Sequence, residues 1–148
     1  MKMLVPVDGS EPALDAVRHA LRLKGEGLQA RFVLATVQEP TYVYEMVLAP
    51  DAEVLEKVSG AVGARALESA EALFKAAGVP YEREILSGYP GPALLELTER
   101  HGCDAVVMGA RGLGMVRSAL LGSVSQAVLH DAKVPVTIVK HDPPDLAR

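Results

Sequence analysis

The chain alternates short runs of apolar, largely β-branched residues with longer stretches whose apolar residues recur every three or four positions. The first run, Lys2-Met-Leu-Val-Pro-Val-Asp8, has the length and continuity of a strand buried on both faces. Gly9-Ser10-Glu11-Pro12 follows as a turn, an N-cap and a proline in the first helical turn. Leu14, Val17 and Leu21 then mark one face of a first helix running to about Lys24, which Gly25 and Gly27 stop. Gln29 to Val37 reads as a second strand.

A connection over residues 38 to 50, holding Tyr42 and Tyr44, leads to Asp51, which is placed to cap a second helix. Val54, Leu55, Val58, Val62, Ala66, Leu73 and Phe74 form its stripe, while Gly60 and Gly63 predict a short break in its middle. Gly78-Val-Pro80 ends it, and Tyr81 to Leu86 alternates polar and apolar residues as a strand near a sheet edge does. A third helix spans about Gly91 to His101, and Asp104 to Ala110 is an uninterrupted apolar fourth strand. Helix four opens at Ser123 and carries Val124, Ala127 and Val128, and Val134 to Lys140 is the fifth strand.

Five strands alternating with four helices predict an α/β fold, because parallel strands need right-handed crossovers and the crossover helices cover both faces of the sheet. Residues 1–141 make a single domain, and the polar end of the chain, 142–148 with Pro143 and Pro144, is expected to fray. Two features strain against this pattern. Pro6 falls in what should be the central strand, where proline removes a ladder donor. Val134, Val136, Ile138 and Val139 make the last strand apolar on both faces although it falls at the sheet edge, which predicts self-association through that strand.

Composition narrows the function. The chain has 148 residues, 49% of them apolar and 23% charged, enough to bury roughly two-thirds of the surface its unfolded form would expose. A net charge of -4 and an aromatic content of 4% argue against nucleic acid as a partner. No apolar stretch approaches the roughly 20 residues of a membrane span and the N-terminal run is no signal peptide, so the chain reads as cytoplasmic. Cys103 is the single cysteine, with no metal-spaced neighbour, and is expected to be a buried structural thiol.

The densest signal is Gly109-Ala-Arg-Gly-Leu-Gly-Met-Val-Arg-Ser-Ala-Leu-Leu-Gly-Ser123, with glycines at 109, 112, 114 and 122 between strand four and helix four. Glycines at a strand end let main chain approach a ligand, and the N-terminus of the next helix favours an anion. Val7-Asp8-Gly9 at the tail of strand one would face Met108-Gly109-Ala110 across the crevice where ligands bind in such sheets. Gly109 and Gly112 would admit ribose and phosphate, Ser123 would cap helix four, and the N–H groups of Val124 and Ser125 would point outward. Arg111 and Arg117 offer guanidinium groups to phosphate, and Asp8 could accept from a sugar hydroxyl or an adenine amine, or cap helix one. The P-loop and dinucleotide fingerprints are both absent.

The spacing Gly109, two residues, Gly112, nine residues, Gly122-Ser123, together with "VPVDGSE" at the start and "VVMGARGLGMVRSALLGSVSQAVLHDAKVPVTIVK" at the end, resembles the ATP-binding branch of the universal stress proteins. The likeness runs through Lys140. It implies a Rossmann-like three-layer sandwich with strand order 3-2-1-4-5 and two helices on each face. It also implies a homodimer through residues 134–140, and ATP lying across strands one, two and four. Carried over, Pro6, Val7 and Asp8 would border the adenosine and the main chain near Val37 would meet the adenine. Met108, Gly109, Arg111, Gly112, Gly114 and Met115 would follow ribose and phosphates, and Gly122, Ser123, Val124 and Ser125 would hold the outer phosphates, with Mg or Mn riding on them.

No catalytic residue and no protein metal ligand stands out. Phosphoryl transfer wants a positioned base, and His19, His101 and His130 fall on helices while His141 falls near the end of the chain, outside any recognisable triad. The expectation is therefore a nucleotide-binding, stress-response regulatory dimer acting on an unknown protein partner. A slow ATPase, or a self-phosphorylating enzyme with Ser123 or Ser125 as acceptor, is the alternative, and a structural dimer with an empty crevice is the third.

Overall fold

The structure is a computed structural model and describes residues 1–39, 52–111 and 121–141, with the side chains of 52–56 and 59 left aside. Its elements are β1 (Lys2–Pro6), α1 (Glu11–Gly25), β2 (Arg31–Gln38), α2 (Ala52–Ala77), β3 (Glu82–Ser87), α3 (Pro90–Arg100), β4 (Ala105–Gly109), α4 (Ser123–Asp131) and β5 (Val136–Val139). The five strands form one parallel sheet in the order β3-β2-β1-β4-β5. Every expected element is present, displaced by one or two residues at its ends. Expectations about Asp51, the 40–51 connection and the 142–148 tail lie outside the described residues.

Alternation along the strands divides the core in two. Met3, Val5, Phe32, Leu34 and Val107 pack beneath α1 and α2, against Val17, Ala20, Leu67, Ala70 and Phe74. Leu4, Val33, Ala35, Val106 and Met108 pack on the opposite face against Leu94 and Leu97 of α3 and Val128 of α4. Cys103 is buried in this second layer, and burial raises the pKa of its thiol, as a structural cysteine requires. Phe74 anchors the first layer, its ring edge-on to Phe32 at 5.5 Å and tilted against Tyr81 at 5.1 Å.

The proline in the central strand resolves by register. Val7 N donates to Ala35 O at 2.8 Å, so odd-numbered residues of β1 direct their amides toward β2 and Pro6 faces β4. Pairing with β4 is recorded at Met3↔Ala105 and Leu4↔Val106, and Pro6 lies beyond it. The missing donor thus leaves the β2 ladder intact and falls on the β4 side, where the recorded pairing stops at Leu4.

The break expected in the second helix does not occur: α2 is continuous from Ala52 to Ala77. Gly63 has a packing purpose instead. A Cβ built there would lie 2.4 Å from Ile85 Cγ2 of β3, so its absence lets helix and edge strand approach.

Candidate functional site

The carboxyl ends of the strands open into a cleft of about 440 Å³, within the range of small-molecule sites. Pro6, Val7 and Asp8 after β1, Val37 in β2, Met108, Gly109 and Arg111 around the end of β4, and Gly122, Ser123, Val124 and Ser125 at the start of α4 all line it. These are the expected site residues among those described. Gly112, Gly114 and Met115, with Arg117, lie outside them.

Three helices direct their N-termini at this space: α1 through Ala13, α3 through Pro90 and α4 through Gly122 to Ser125. That follows from the topology, since each parallel strand delivers the next helix from its carboxyl end. The ends are not equivalent. In α1, Ser10 caps by accepting from Ala13 N at 3.4 Å, whereas α3 and α4 have no side-chain cap. Proline opens α3 and withholds one amide. The start of α4 is the anion-ready end.

Here two expectations need correcting. Ser123 does not cap α4; Gly122 occupies the cap position with extended backbone, and Ser123 is the first helical residue, its side chain exposed. Ser125 is buried, its hydroxyl directed to Ala110 O at 2.8 Å and Gly122 O at 3.0 Å. Gly122 N also donates to Ala110 O, at 2.7 Å. One carbonyl at the end of β4 thus fastens both the backbone and a side chain on the far side of the glycine-rich connection, fixing where α4 begins.

The second correction concerns Gly109. The expected reason for its missing side chain was room for ribose and phosphate, but a Cβ there would stand 2.7 Å from Pro12 O, in the first turn of α1. Packing demands this glycine. Its backbone still borders the cleft.

Asp8 does hold local structure. Its Oδ1 accepts from Ser10 N at 3.0 Å and from Ser10 Oγ at 2.5 Å, so it positions the residue that caps α1. Gly9, at φ +87°, makes the turn between them and lies against Ala66 of α2. Ser10, not Asp8, therefore caps α1, while Asp8 supports that cap and also borders the cleft.

Sequence reasoning missed Gln38 and Glu39 at the end of β2, Val62 and Ala66 of α2, Pro90 and Leu94 of α3, and Ala13. The first two were accessible to the same carboxyl-end rule that selected Asp8 and Met108. The others follow only from how the helices pack. Charge is unevenly distributed: Asp8 and Glu39 lie by the β1 and β2 ends, Arg111 and the bare amides of α4 by the β4 end.

No histidine lines the cleft among the described residues. His101 follows α3, at the opposite end of the sheet, with Nε2 2.6 Å from Glu84 Oε2 and Nδ1 3.0 Å from Glu82 Oε2. His141 pairs with Asp15 of α1. Among the described residues, no group of three or more His, Cys, Asp or Glu side chains could hold a metal ion, and no helix is long and apolar enough to cross a membrane.

Comparison with known proteins agrees with this architecture. The family model described as "Universal stress protein family" matches residues 1–140. A universal stress protein of Thermus aquaticus is 34% identical over 145 residues, covering 93% of this chain and 97% of its own. The solved structure of MJ0577 from Methanocaldococcus jannaschii superposes with a TM-score of 0.79 at 25% identity, covering 96% of each chain. A universal stress protein in complex with cAMP gives a TM-score of 0.65 at 29% identity, over 95% of this chain and 96% of that one. With sheet order, cleft and family model in agreement, the chain belongs to the universal stress protein family.

Proposed function

We propose that this protein is a cytoplasmic nucleotide-binding regulatory protein that holds ATP across the ends of β1, β2 and β4. The supporting observation is the convergence of the uncapped α4 N-terminus, Arg111 and the glycine-bordered end of β4 on one side of an open cleft. An anion gains roughly 0.3 to 1 kcal/mol from such a helix end, before hydrogen bonds to its amides are added. The relative solved with cAMP shows that a phosphorylated adenosine suits this family in at least one member. A triphosphate would place its outer phosphates at Gly122, Ser123, Val124 and Ser125, with the ribose toward Asp8. Mg or Mn would ride on the phosphates, because the described side chains offer it no ligand cluster.

Isothermal titration with ATP, ADP and AMP, with and without magnesium, tests the reading. Saturable binding that strengthens with phosphate number supports a triphosphate site, tighter AMP binding would reassign it to a monophosphate, and a flat trace with all three removes the nucleotide. In Gly112→Val, affinity should fall while the thermal transition stays near that of the unmodified chain. ATP retained intact for hours marks a regulatory module. Steady phosphate release would favour the enzyme reading, with exposed Ser123 a better acceptor than Ser125, whose hydroxyl is buried and hydrogen-bonded.

We also propose a homodimer through residues 134–140, by which nucleotide occupancy would reach a protein partner. The outer strand on one side, β3, carries Glu82, Arg83 and Glu84, charges that discourage pairing; β5 on the other carries Val136, Thr137, Ile138 and Val139. Equilibrium sedimentation at micromolar concentration should return twice the chain mass. A monomer there would refute this arrangement.

A further inference from the structure

Ala110, the residue after β4, is bonded on two sides. Its amide donates to Val139 O of β5 at 3.0 Å, and its carbonyl accepts from Gly122 N at 2.7 Å and from Ser125 Oγ at 2.8 Å. The residue is buried between the two elements it joins. β5 is therefore bonded to the residue that fixes where α4 begins, and the first turn of α4 is the anion-ready end of the cleft. The same ladder decides which groups of β5 face outward. Pro135 O accepts from Val106 N and Val139 O from Ala110 N, so odd-numbered residues direct their main chain toward β4, and Val136, Ile138 and Lys140 direct theirs to the sheet edge. A second chain adding at that edge would bond to the alternate residues and leave the Val139 to Ala110 bond in place. Beyond β5, His141 pairs with Asp15 of α1, whose first turn packs on Gly109 through Pro12. The carboxyl end of β5 is thus held by β4 and by α1 together.

We propose that self-association through β5 and phosphate binding at the start of α4 strengthen one another through Ala110. This regulation rests on the nucleotide site and the homodimer proposed above. Pairing of β5 with a second copy of the chain removes conformational freedom from the strand and, through Val139 O, from Ala110. The turn of α4 that Ala110 O anchors then has less freedom left to lose when phosphate binds, so the ligand pays less to order it. Linkage is reciprocal: each bound nucleotide tightens the dimer by the factor by which the dimer raises its affinity.

Equilibrium dialysis of ATP against the intact chain, at concentrations below and above its dimer constant, tests this together with sedimentation equilibrium in the presence and absence of saturating ATP. ATP should bind roughly tenfold more tightly where the chain is dimeric, and saturating ATP should tighten the dimer by that factor for each site. Ser125→Ala removes one of the bonds to Ala110 O, so it should shrink the factor as well as lower the affinity. An affinity lowered equally in monomer and dimer, with the factor intact, overturns the route through Ala110. If that variant does not fold, amide hydrogen exchange in the unmodified chain serves. At a dilution where it is monomeric, ATP should slow exchange at Ala110, whose amide lies on the β5 side, more than at Asp104 before the other end of β4. Equal slowing at both overturns the same route. Equal ATP affinity in monomer and dimer overturns the linkage and leaves the site and the dimer standing. Absence of ATP binding removes the nucleotide site, a monomer at every concentration removes the dimer, and either result takes the linkage with it.

Discussion

The two ends of the sheet treat their polar groups in opposite ways. At the amino end they find one another: Lys2 N donates to Asp104 Oδ2 at 2.8 Å and Asp104 N returns to Lys2 O at 2.7 Å. Lys2 Nζ reaches Glu82 at 3.3 Å, and His101 spans Glu82 and Glu84. At the carboxyl end Gln38, Ser123 and the first turn of α4 border an open cleft. Parallel topology makes the difference, since it collects strand ends and helix N-termini on one side and sends helix C-termini to the other. One end is fastened by its own side chains, and the other is left as an open cleft.

The largest expected effect probes where this division is least clean, at Gly109. It borders the cleft, yet its missing Cβ serves the approach of α1, so Gly109→Val should lower the free energy of unfolding by about 3 kcal/mol in urea titration, whether or not nucleotide is present. Unchanged stability with lost ligand would return Gly109 to the ligand's side. Ser125→Ala comes next: loss of the hydroxyl that grips Ala110 O should cost about 1 kcal/mol and also weaken nucleotide binding, because α4 is no longer fixed at its start. His101→Leu should cost a similar or smaller amount, since Arg100 still reaches Glu84 at 3.4 Å. Its nucleotide affinity, read by calorimetry, should not move.

How legible this was in the sequence differs between the same two ends. Periodicity and caps located all nine of the described elements because each buries one or two faces whose spacing is written locally. The glycine-rich stretch between β4 and α4 pointed to the end of β4 and the start of α4, which do line the cleft. Its glycines were not legible individually: Gly109 and Gly63 are small because of Pro12 and Ile85, contacts that only folding creates. Ser123 resembled a cap by residue type, but the chain enters α4 one residue earlier, pulled there by the bonds from Gly122 and Ser125 to Ala110. The amino-end cluster left no local trace. It assembles Lys2, Glu82, Glu84 and His101 from β1, β3 and the end of α3.

The smallest effects are the pH limits, and both should come from the amino end. The hydrogen bond from Lys2, partly offset by desolvation and joined by the charges of Lys2 and His101, holds Glu82 below its usual 4.5. A depressed carboxyl stabilises the fold above pH 4.5, and that contribution is lost as pH falls from there through the lower folded value. Tyr81, just before β3, behaves in the reverse sense. Burial, then the hydrogen bond it donates to Glu71 at 2.6 Å and that carboxylate's charge, push its phenol from 10.0 to about 12. The folded state holds this proton more tightly, so the contribution is complete below pH 10 and disappears between 10 and about 12. Thermal melting of the unmodified chain should therefore shift downward at both extremes. Glu82→Gln should flatten the acid side alone, and Tyr81→Phe the alkaline side alone. If either variant instead changed the pH dependence of nucleotide affinity at constant stability, the two ends of the sheet would be coupled and the division between them would fail.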